Sequence, residues 1–368
     1  MANKKILSLL LLYPVSKVYG WVMAVRNMMF NRGLLKQREF DIPVIAVGNI
    51  SMGGSGKTPH TEYIVDKLKD DYKIGVLSRG YKRKTHGFVP ATPQSHVDDI
   101  GDEPYQIYQK FKDDGVMTAV CEKRVKGIEE MRRINPDLDL IVLDDAFQHR
   151  YVKPSISVVL MEYSRPAYED KLLPYGHLRE PVSALNRADI VIVTKCPEDM
   201  KPVETRIFKE HLNLFPYQKL LFSNYEYLDL KPVFEDEIPP MQRLRLSSLT
   251  SADSVLAVTG VANPRPFVRY LRKYGVKVRI KRYADHHHFT HSDMESILEK
   301  YDNMPGNRRI IVTTEKDAMR LRNNPYFPTE LRKCIYYLPI KVSFDDYNEV
   351  SLEQHLKQML RTEKRLRH

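Results

Sequence analysis

Residues 42–59 read IPVIAVGNISMGGSGKTP and carry the strongest structural signal in the chain. Residues 42–47 form a short run rich in Ile and Val, which is typical of a strand buried on both faces of a parallel sheet. The glycine-rich turn that follows leads into a helix predicted over residues 58–68. A glycine-rich loop between a strand and a helix is the setting of a P-loop, so this segment predicts binding of a nucleoside triphosphate.

The residue types of this loop match what phosphate binding requires. Glycines let the backbone turn its N–H groups toward a triphosphate, and the helix N-terminus adds a partial positive charge. We expect Lys57 to reach the β- and γ-phosphates and the Thr58 hydroxyl to coordinate Mg²⁺. Ser51 stands where the general pattern has its first glycine, so the loop is a variant. The predicted nucleotide-binding residues are Met52, Gly53, Gly54, Ser55, Gly56, Lys57 and Thr58.

Strands and helices alternate on both sides of a Pro- and Tyr-rich segment. The first alternation predicts strands at residues 73–77, 138–143, 156–161 and 189–194 and helices at 104–111 and 124–134. This pattern predicts a parallel sheet covered by helices on both faces, and a second alternation from residue 254 predicts a smaller α/β domain. We divide the chain into an N-terminal membrane-associated helical segment (1–38), a P-loop domain (39–220), a linker (221–250) and a C-terminal α/β domain (251–368).

The N-terminal segment is both basic and apolar. Residues 1–38 carry seven Lys and Arg and no acid, and residues 6–25 are about as long as a bilayer is thick, although Pro14 and Lys17 interrupt them. The segment lacks the cleavage site that a signal peptide needs. A transmembrane helix is possible but would bury Lys17 and Pro14. A helix packed on the domain is a further alternative. We favour an amphipathic helix or helix pair lying in the membrane interface, with Trp21, Tyr13 and Tyr19 at headgroup depth.

Composition limits the function classes. The formal charge is +11, which favours anionic partners. The three cysteines (Cys121, Cys196 and Cys334) lie far apart, so a disulfide scaffold is not expected and a reducing cytosol fits.

Acidic and basic clusters follow several predicted strands. Asp144 and Asp145 come directly after residues 138–143, where a P-loop enzyme holds Mg²⁺; either could instead cap the following turn, and the sequence leaves open which one faces the metal. For the histidines at 286–288 we favour pairing with a carboxylate over metal binding, because a third ligand at zinc spacing is missing. The acids within residues 313–317 could have no role beyond capping the first turn of the helix that follows.

Seven motifs follow one another along nearly the whole chain: VGNISMGGSGKTP (47–59), SRGY (78–81), GDEP (101–104), LDDAFQHR (143–150), LLPYGHLREP (172–181), DHHHFT (285–290) and TTEKDAMRL (313–321). In this order, they resemble the tetraacyldisaccharide 4′-kinases of lipid A biosynthesis. Ala146 and His177 differ from the family pattern, in which Gly and Pro are usual.

The resemblance implies an enzyme at the cytoplasmic face of the bacterial inner membrane. It would use ATP and Mg²⁺ to phosphorylate the 4′-hydroxyl of a tetraacyldisaccharide 1-phosphate, giving lipid IVA, and its partners would be this lipid and an anionic membrane surface, not nucleic acid. It also implies that Asp102 accepts the hydroxyl proton and pairs with His286, while Lys57 acts on the phosphates. The implied metal-supporting residues are Thr58, Glu103, Asp144 and Asp145, and the implied substrate-binding residues are Arg79, Tyr81, Gln148, His149, Arg179 and Glu180.

Two other classes compete with this interpretation. A P-loop switch, such as a membrane ATPase acting through protein partners, would hydrolyse nucleotide without a lipid acceptor. Residues 194–197 (TKCP) resemble a guanine-reading loop but lack its Asp, which disfavours GTP. A nucleic-acid-binding ATPase would suit the pI near 9.3, but much of the excess charge lies in the N-terminal segment and an aromatic-basic RNA signature is missing.

Overall fold

The computed structural model describes residues 2–239, 244–261, 263–285, 287–344 and 348–367, with side chains described between residues 11 and 365. Backbone contacts divide the chain into two compact units. The first comprises residues 1–93, 107–225 and 342–368, and the second comprises residues 94–106 and 226–341.

The first unit is built on an eight-stranded sheet with the order β3-β4-β2-β5-β1-β6-β7-β8. Neighbouring strands are parallel except for the edge pair β3–β4. Strand β1 lies between β5 and β6, and all of its residues are buried. The glycine-rich loop therefore leaves the centre of the sheet. The strands are β1 (Val44–Asn49), β2 (Ile74–Ser78), β3 (Val89–Pro90), β4 (Met117–Val120), β5 (Leu140–Leu143), β6 (Ile156–Glu162), β7 (Ile190–Thr194) and β8 (Lys219–Phe222).

Helices cover both faces of this sheet. Ile45 and Val47 of β1 pack with apolar residues of α2 on one face, and Val44 and Ala46 pack with residues of α5 on the other. This arrangement confirms the predicted P-loop-type sheet. The helices are α1 (Ala2–Asn31), α2 (Lys57–Leu68), α3 (Val97–Ile100), α4 (Asp102–Phe111), α5 (Arg124–Ile134), α6 (Pro202–Leu212) and α10 (Leu352–Arg367), where α3 belongs to the second unit and the unit boundary falls within α4.

The C-terminal helix α10 groups with the first unit, whereas the sequence placed it in the smaller domain. Leu352, Leu356 and Leu360 recur every four residues on one face of α10 and are buried in the same apolar cluster as β1 and α2. Burial of this leucine face explains the difference, because a helix is held by the core that covers its apolar stripe.

The second unit contains a five-stranded sheet with the order β10-β14-β13-β11-β12, parallel except for the edge pair β10–β14. This mixed α/β unit confirms the smaller domain type that the second alternation predicted. Its elements are β10 (Lys231–Pro232), β11 (Ser254–Thr259), α7 (Arg265–Arg272), β12 (Lys277–Arg282), α8 (His291–Asp302), β13 (Arg309–Thr314), α9 (Glu315–Arg322) and β14 (Ile335–Leu338). A separate two-stranded sheet pairs β9 (Asn224–Tyr227) with β15 (Ile340–Ser343).

Helix α1 is 30 residues long and contains Pro14. One of its faces contacts the rest of the first unit. On that face, the Ser16 hydroxyl donates to the Leu172 carbonyl at 2.8 Å and the Tyr19 hydroxyl donates to the Arg179 carbonyl at 2.7 Å. Among the described residues, no helix combines the length and the apolar content that crossing a membrane requires. The exposed side chains of α1 include an apolar stripe made of Leu11, Val15, Val18, Trp21 and Val22. Tyr19 therefore contacts the domain, whereas Tyr13 and Trp21 are exposed.

Candidate active site

The glycine-rich loop adopts a backbone that only glycine accommodates well. Gly53 has φ 107° and Gly56 has φ 87°, both in the left-handed region. A Cβ atom at Gly56 would also collide with the hydroxyl of Tyr225. Gly56 is the N-cap of α2, so the loop passes directly into a helix whose first backbone N–H groups have no partner within the helix.

Side chains from neighbouring strands fix the loop from behind. Ser55 is buried; its hydroxyl accepts from Asn49 Nδ2 at 2.6 Å, and its carbonyl accepts from Thr194 Oγ1 at 2.9 Å. Lys195 Nζ donates to the Gly54 carbonyl. In the sequence, residues 194–197 resemble only a guanine-reading loop, so the contacts of Thr194 and Lys195 with the P-loop were not predicted.

The two acids that follow β5 occupy different environments. The Asp144 carboxylate is buried and accepts from Thr61 Oγ1 at 3.0 Å and from Ser78 Oγ at 3.4 Å. Both donors belong to elements beside the loop, α2 and the end of β2. Asp144 therefore ties together the elements that carry the site.

Asp145 instead approaches the lysine of the loop. Its Oδ1 atom lies 3.8 Å from Lys57 Nζ and 3.1 Å from Arg179 Nη2. Burial alone would raise the pKa of Asp145, but the positive charges of Lys57 and Arg179 outweigh it and hold the pKa below its usual value. Asp145 is therefore an ionised carboxylate beside the side chain expected to touch the phosphates, which favours Asp145 over Asp144 as the metal-supporting acid.

Arg124 lies behind this acidic pair and was not predicted from the sequence. Its side chain is buried, with Nη1 donating to the Cys121 carbonyl at 2.6 Å and Nη2 to the Asp144 carbonyl at 3.1 Å. Burial lowers the pKa of Arg124 to about 10, so the guanidinium is still charged at neutral pH. Its charge partly offsets those of Asp144 and Asp145.

The segment around Arg179 and Glu180 lies along the same loop. The Arg179 N–H donates to the Ile50 carbonyl at 2.7 Å, and its guanidinium donates to the Asn49 side chain. Glu180 is fully buried and accepts from Arg187 Nη2 at 2.9 Å and from Asn27 Nδ2 of α1 at 3.0 Å. Arg179 thus reaches the phosphate loop, whereas the Glu180 carboxylate connects α1 to the core.

Gln148, which precedes His149, forms a second link between the loop and α1. Gln148 Nε2 donates to the Asn49 backbone carbonyl at 2.6 Å, and the Gln148 backbone carbonyl accepts from Arg26 Nη2 at 2.8 Å. Burial, together with Arg124, Arg26 and other cations, lowers the pKa of His149 to about 4, so the imidazole is neutral at pH 7. The two predicted residues that follow β2, Arg79 and Tyr81, are exposed.

In the second unit, Asp102 forms a buried ion pair. The side chain of Asp102, at the start of α4, accepts a hydrogen bond from Arg320 Nη2 of α9. Arg320 Nη1 also lies 3.1 Å from Asp317 Oδ1. Burial would lower the pKa of Arg320, but Asp102 and then Asp317 raise it above its ordinary value. The sequence singled out Asp102 but not Arg320.

Glu103, the next residue, is also paired with a cation of α9. Lys316 Nζ lies 3.0 Å from Glu103 Oε1 and 3.6 Å from Asp285 Oδ1. Lys316 and Arg320 are four residues apart on α9, so they share one helix face. That spacing is a sequence signal that could have placed both cations on one helix face, although it does not identify the acids at residues 102–103 as their partners.

The histidine motif contributes a helix cap among its described residues. His287 Nε2 lies 2.8 Å from Asp293 Oδ2, and Asp293 also accepts from the Thr290 backbone N–H at 2.8 Å at the start of α8. Thr314 is the N-cap of α9, and its hydroxyl accepts from the Asp317 backbone N–H at 3.2 Å, so Asp317 lies in the first turn, as the sequence allowed. His286, the predicted partner of Asp102, lies outside the described residues.

Comparisons with known proteins agree with one another. A sequence model of the tetraacyldisaccharide-1-P 4′-kinases matches residues 8–361. A tetraacyldisaccharide 4′-kinase from Bacteroides thetaiotaomicron is 48% identical over 350 residues, covering 94% of this chain and 91% of that relative. One from Flavobacterium johnsoniae is 40% identical over 353 residues, covering 95% and 98%. The chain belongs to the tetraacyldisaccharide 4′-kinase family.

A solved structure supports the fold assignment. The crystal structure of LpxK from Aquifex aeolicus in complex with ATP is 26% identical to this chain, with a TM-score of 0.70 and coverage of 98% of this chain and 99% of that chain. Membership of the tetraacyldisaccharide 4′-kinase family confirms the resemblance that the motifs indicated. The roles of the individual site residues stay predictions, although the geometry brings Lys57, Asp145 and Arg179 together on the first unit.

Proposed function

We propose that this chain transfers the γ-phosphoryl group of ATP to the 4′-hydroxyl of a tetraacyldisaccharide 1-phosphate, at the cytoplasmic face of the inner membrane. The observation that carries the proposal is the P-loop with Lys57 Nζ 3.8 Å from Asp145 Oδ1. That pairing places a cation and an ionised carboxylate at the carboxyl edge of a parallel sheet, as phosphoryl transfer requires. Family membership supplies the identity of the acceptor.

The loop residues fit a nucleotide and its metal ion. The left-handed backbone of Gly53 and Gly56 shapes the loop, and the N-terminus of α2 presents N–H groups to the phosphates. The Thr58 hydroxyl and the Asp145 carboxylate are the hard oxygen donors that Mg²⁺ prefers. When bound, Mg²⁺ neutralises charge on the β- and γ-phosphates. Lys57 and Arg179 bind the same phosphates, and Asp144 positions the acidic pair.

Asp102 is the proposed acceptor of the 4′-hydroxyl proton, with His286 as its partner. A sugar hydroxyl is a very weak acid, but in a loose phosphoryl-transfer transition state the base receives the proton late. Orientation and ionisation of the carboxylate therefore matter more than strong basicity. Glu103 stays a candidate for positioning the metal ion or water, as do Arg79, Tyr81, Gln148 and His149 for lining the site.

The apolar stripe of α1 is the proposed membrane contact. Trp21 is 69% exposed and Val18 is 63% exposed, which is unusual for apolar side chains on a helix whose other face is hydrogen-bonded to the domain. The basic residues of the N-terminal segment would bind anionic headgroups. A lipid substrate with an anionic head would be reached from that surface.

A label-transfer assay tests the proposed activity. Purified protein is incubated with γ-labelled ATP, Mg²⁺ and the tetraacyldisaccharide 1-phosphate in mixed micelles, with Lys57→Ala as the inactive variant. Lys73→Ala, which removes an exposed lysine paired with Asp137, is the matched control. We expect label on the lipid for the wild type and Lys73→Ala only. Release of label as inorganic phosphate, with or without lipid, would contradict the proposal and favour a switch ATPase.

A further inference from the structure

A chain of buried polar contacts in the second unit ends at Asp102. Asp317 is fully buried, and its Oδ2 atom accepts from the Gly260 backbone N–H at 2.8 Å and from Thr314 Oγ1 at 2.7 Å. Its Oδ1 atom binds Arg320 Nη1 at 3.1 Å, and Arg320 Nη2 donates to Asp102. Through Arg320 and Asp317, the position of the Asp102 side chain is thus connected to the Gly260 backbone N–H, just after β11, and to the Thr314 hydroxyl at the end of β13.

The geometry of this chain restrains Arg320. A guanidinium is planar, so fixing Nη1 on one carboxylate also fixes the direction in which Nη2 points. The Arg320 side chain is 7% exposed, and Asp317 is held by three donors, one of them a backbone N–H. The surrounding charged groups are also paired: Lys316 lies between Glu103 and Asp285. Few alternative positions therefore exist for the Arg320 side chain.

We propose that Arg320 is a positioning residue of the phosphoryl transfer, which orients the Asp102 carboxylate toward the acceptor hydroxyl through the Nη2 hydrogen bond. This inference rests on the proposed function, in which Asp102 accepts the hydroxyl proton. Proton transfer requires close approach and alignment, and a displacement of about 1 Å costs on the order of 10²-fold in rate. Asp317 serves the same purpose one contact further away.

The alternative is that the ion pairs only stabilise the fold. A purely structural contact would lower stability without changing turnover of the folded enzyme. A positioning contact would lower kcat while the KM for ATP stays the same, because ATP is bound by the P-loop. Measurements of kcat, KM and thermal unfolding on the same variants therefore separate the two roles.

Substitutions of Arg320 in the intact chain provide the first test. We expect Arg320→Met to lower kcat about 10²-fold and to change the KM for ATP less than about threefold. Arg320→Lys keeps the positive charge but not the planar guanidinium, so it should recover part of the loss. Arg332→Met is the matched control, because Arg332 pairs with Glu237 at 3.5 Å in the same unit. Wild-type kcat in folded Arg320→Met would overturn the proposal.

A double-mutant cycle tests whether Arg320 acts through Asp102. In an Asp102→Asn background, we expect Arg320→Met to lower the residual single-turnover rate less than about threefold, because residues that act as one unit are not additive. A second full loss of about 10²-fold would overturn the positioning role. If Arg320→Met does not fold, Asp317→Asn replaces it, with an expected kcat loss of about tenfold and an unchanged KM for ATP. A wild-type kcat in folded Asp317→Asn would likewise overturn the proposal.

The same experiments distinguish failure of the inference from failure of the proposed function. If the wild type places no label on the lipid, the proposed function is wrong. If the wild type transfers label and Asp102→Asn keeps full turnover, Asp102 is not the base and the inference fails on its own. If Asp102→Asn is impaired and Arg320→Met is not, the proposed function holds and only the role of Arg320 is refuted.

Discussion

A single charge in the apolar stripe of α1 should weaken membrane binding measurably. Val18 lies near the middle of the stripe and is 63% exposed. We expect Val18→Asp to reduce binding to vesicles that contain anionic phospholipid. The substitution leaves the hydrogen-bonded face of α1 unchanged, because Ser16 and Tyr19 make the contacts to the domain.

The magnitude follows from the exposure of the side chain. Complete burial of a valine side chain is worth about 1.5 kcal/mol, so the loss of a side chain that is 63% exposed removes roughly 1 kcal/mol of binding free energy. An acid beside an anionic leaflet is unfavourable by about another 1 kcal/mol. The sum of about 2 kcal/mol corresponds to a roughly 30-fold weaker partition coefficient.

The chain carries its own reporter for this measurement. Trp21 is the single tryptophan and belongs to the stripe, so a blue shift of its emission on addition of vesicles reports burial of α1 directly. Val203→Asp is the matched control, because Val203 lies on α6 and is 56% exposed. Equal vesicle affinity for Val18→Asp and Val203→Asp would refute the assignment of the stripe as the membrane contact.

Four further predictions concern the site and the core. Asp145→Asn should lower kcat by about 10²–10³-fold with little loss of stability, measured by label transfer and thermal unfolding. Lys195→Ala removes the contact to the Gly54 carbonyl and should raise the KM for ATP about tenfold in initial-rate assays. Leu356→Ala should destabilise the first unit by about 2–4 kcal/mol in urea titrations, because this α10 side chain is fully buried. The pKa of His149 is about 4 because of burial and nearby cations, so Arg26→Met, which removes one cation, should raise it in an NMR titration.

The sequence predicted the elements whose signals are local. The strand at residues 42–47 and the glycine turn after it are encoded by adjacent residues, and β1 and α2 confirm them. The predicted strands at residues 156–161 and 189–194 likewise agree with β6 and β7 to within a residue or so. In contrast, β3 and β4 were missed, because strands of two and four residues are too short for a periodic pattern.

Two of the side chains that the sequence missed have partners that are distant along the chain. Lys195 and Gly54 are 141 residues apart, and Arg320 and Asp102 are 218 residues apart. Neither pairing leaves a local pattern, because sheet order and helix docking bring the partners together only after folding. The family resemblance marked residues 313–321 as a motif but did not say which of its side chains face Asp102. The four-residue spacing of Lys316 and Arg320 predicts a shared helix face, and only the fold shows that this face pairs with the acids at residues 102–103. Sequence therefore predicts the groups that are proposed to carry the chemistry, whereas the contacts that hold these groups in place are visible only in the tertiary structure.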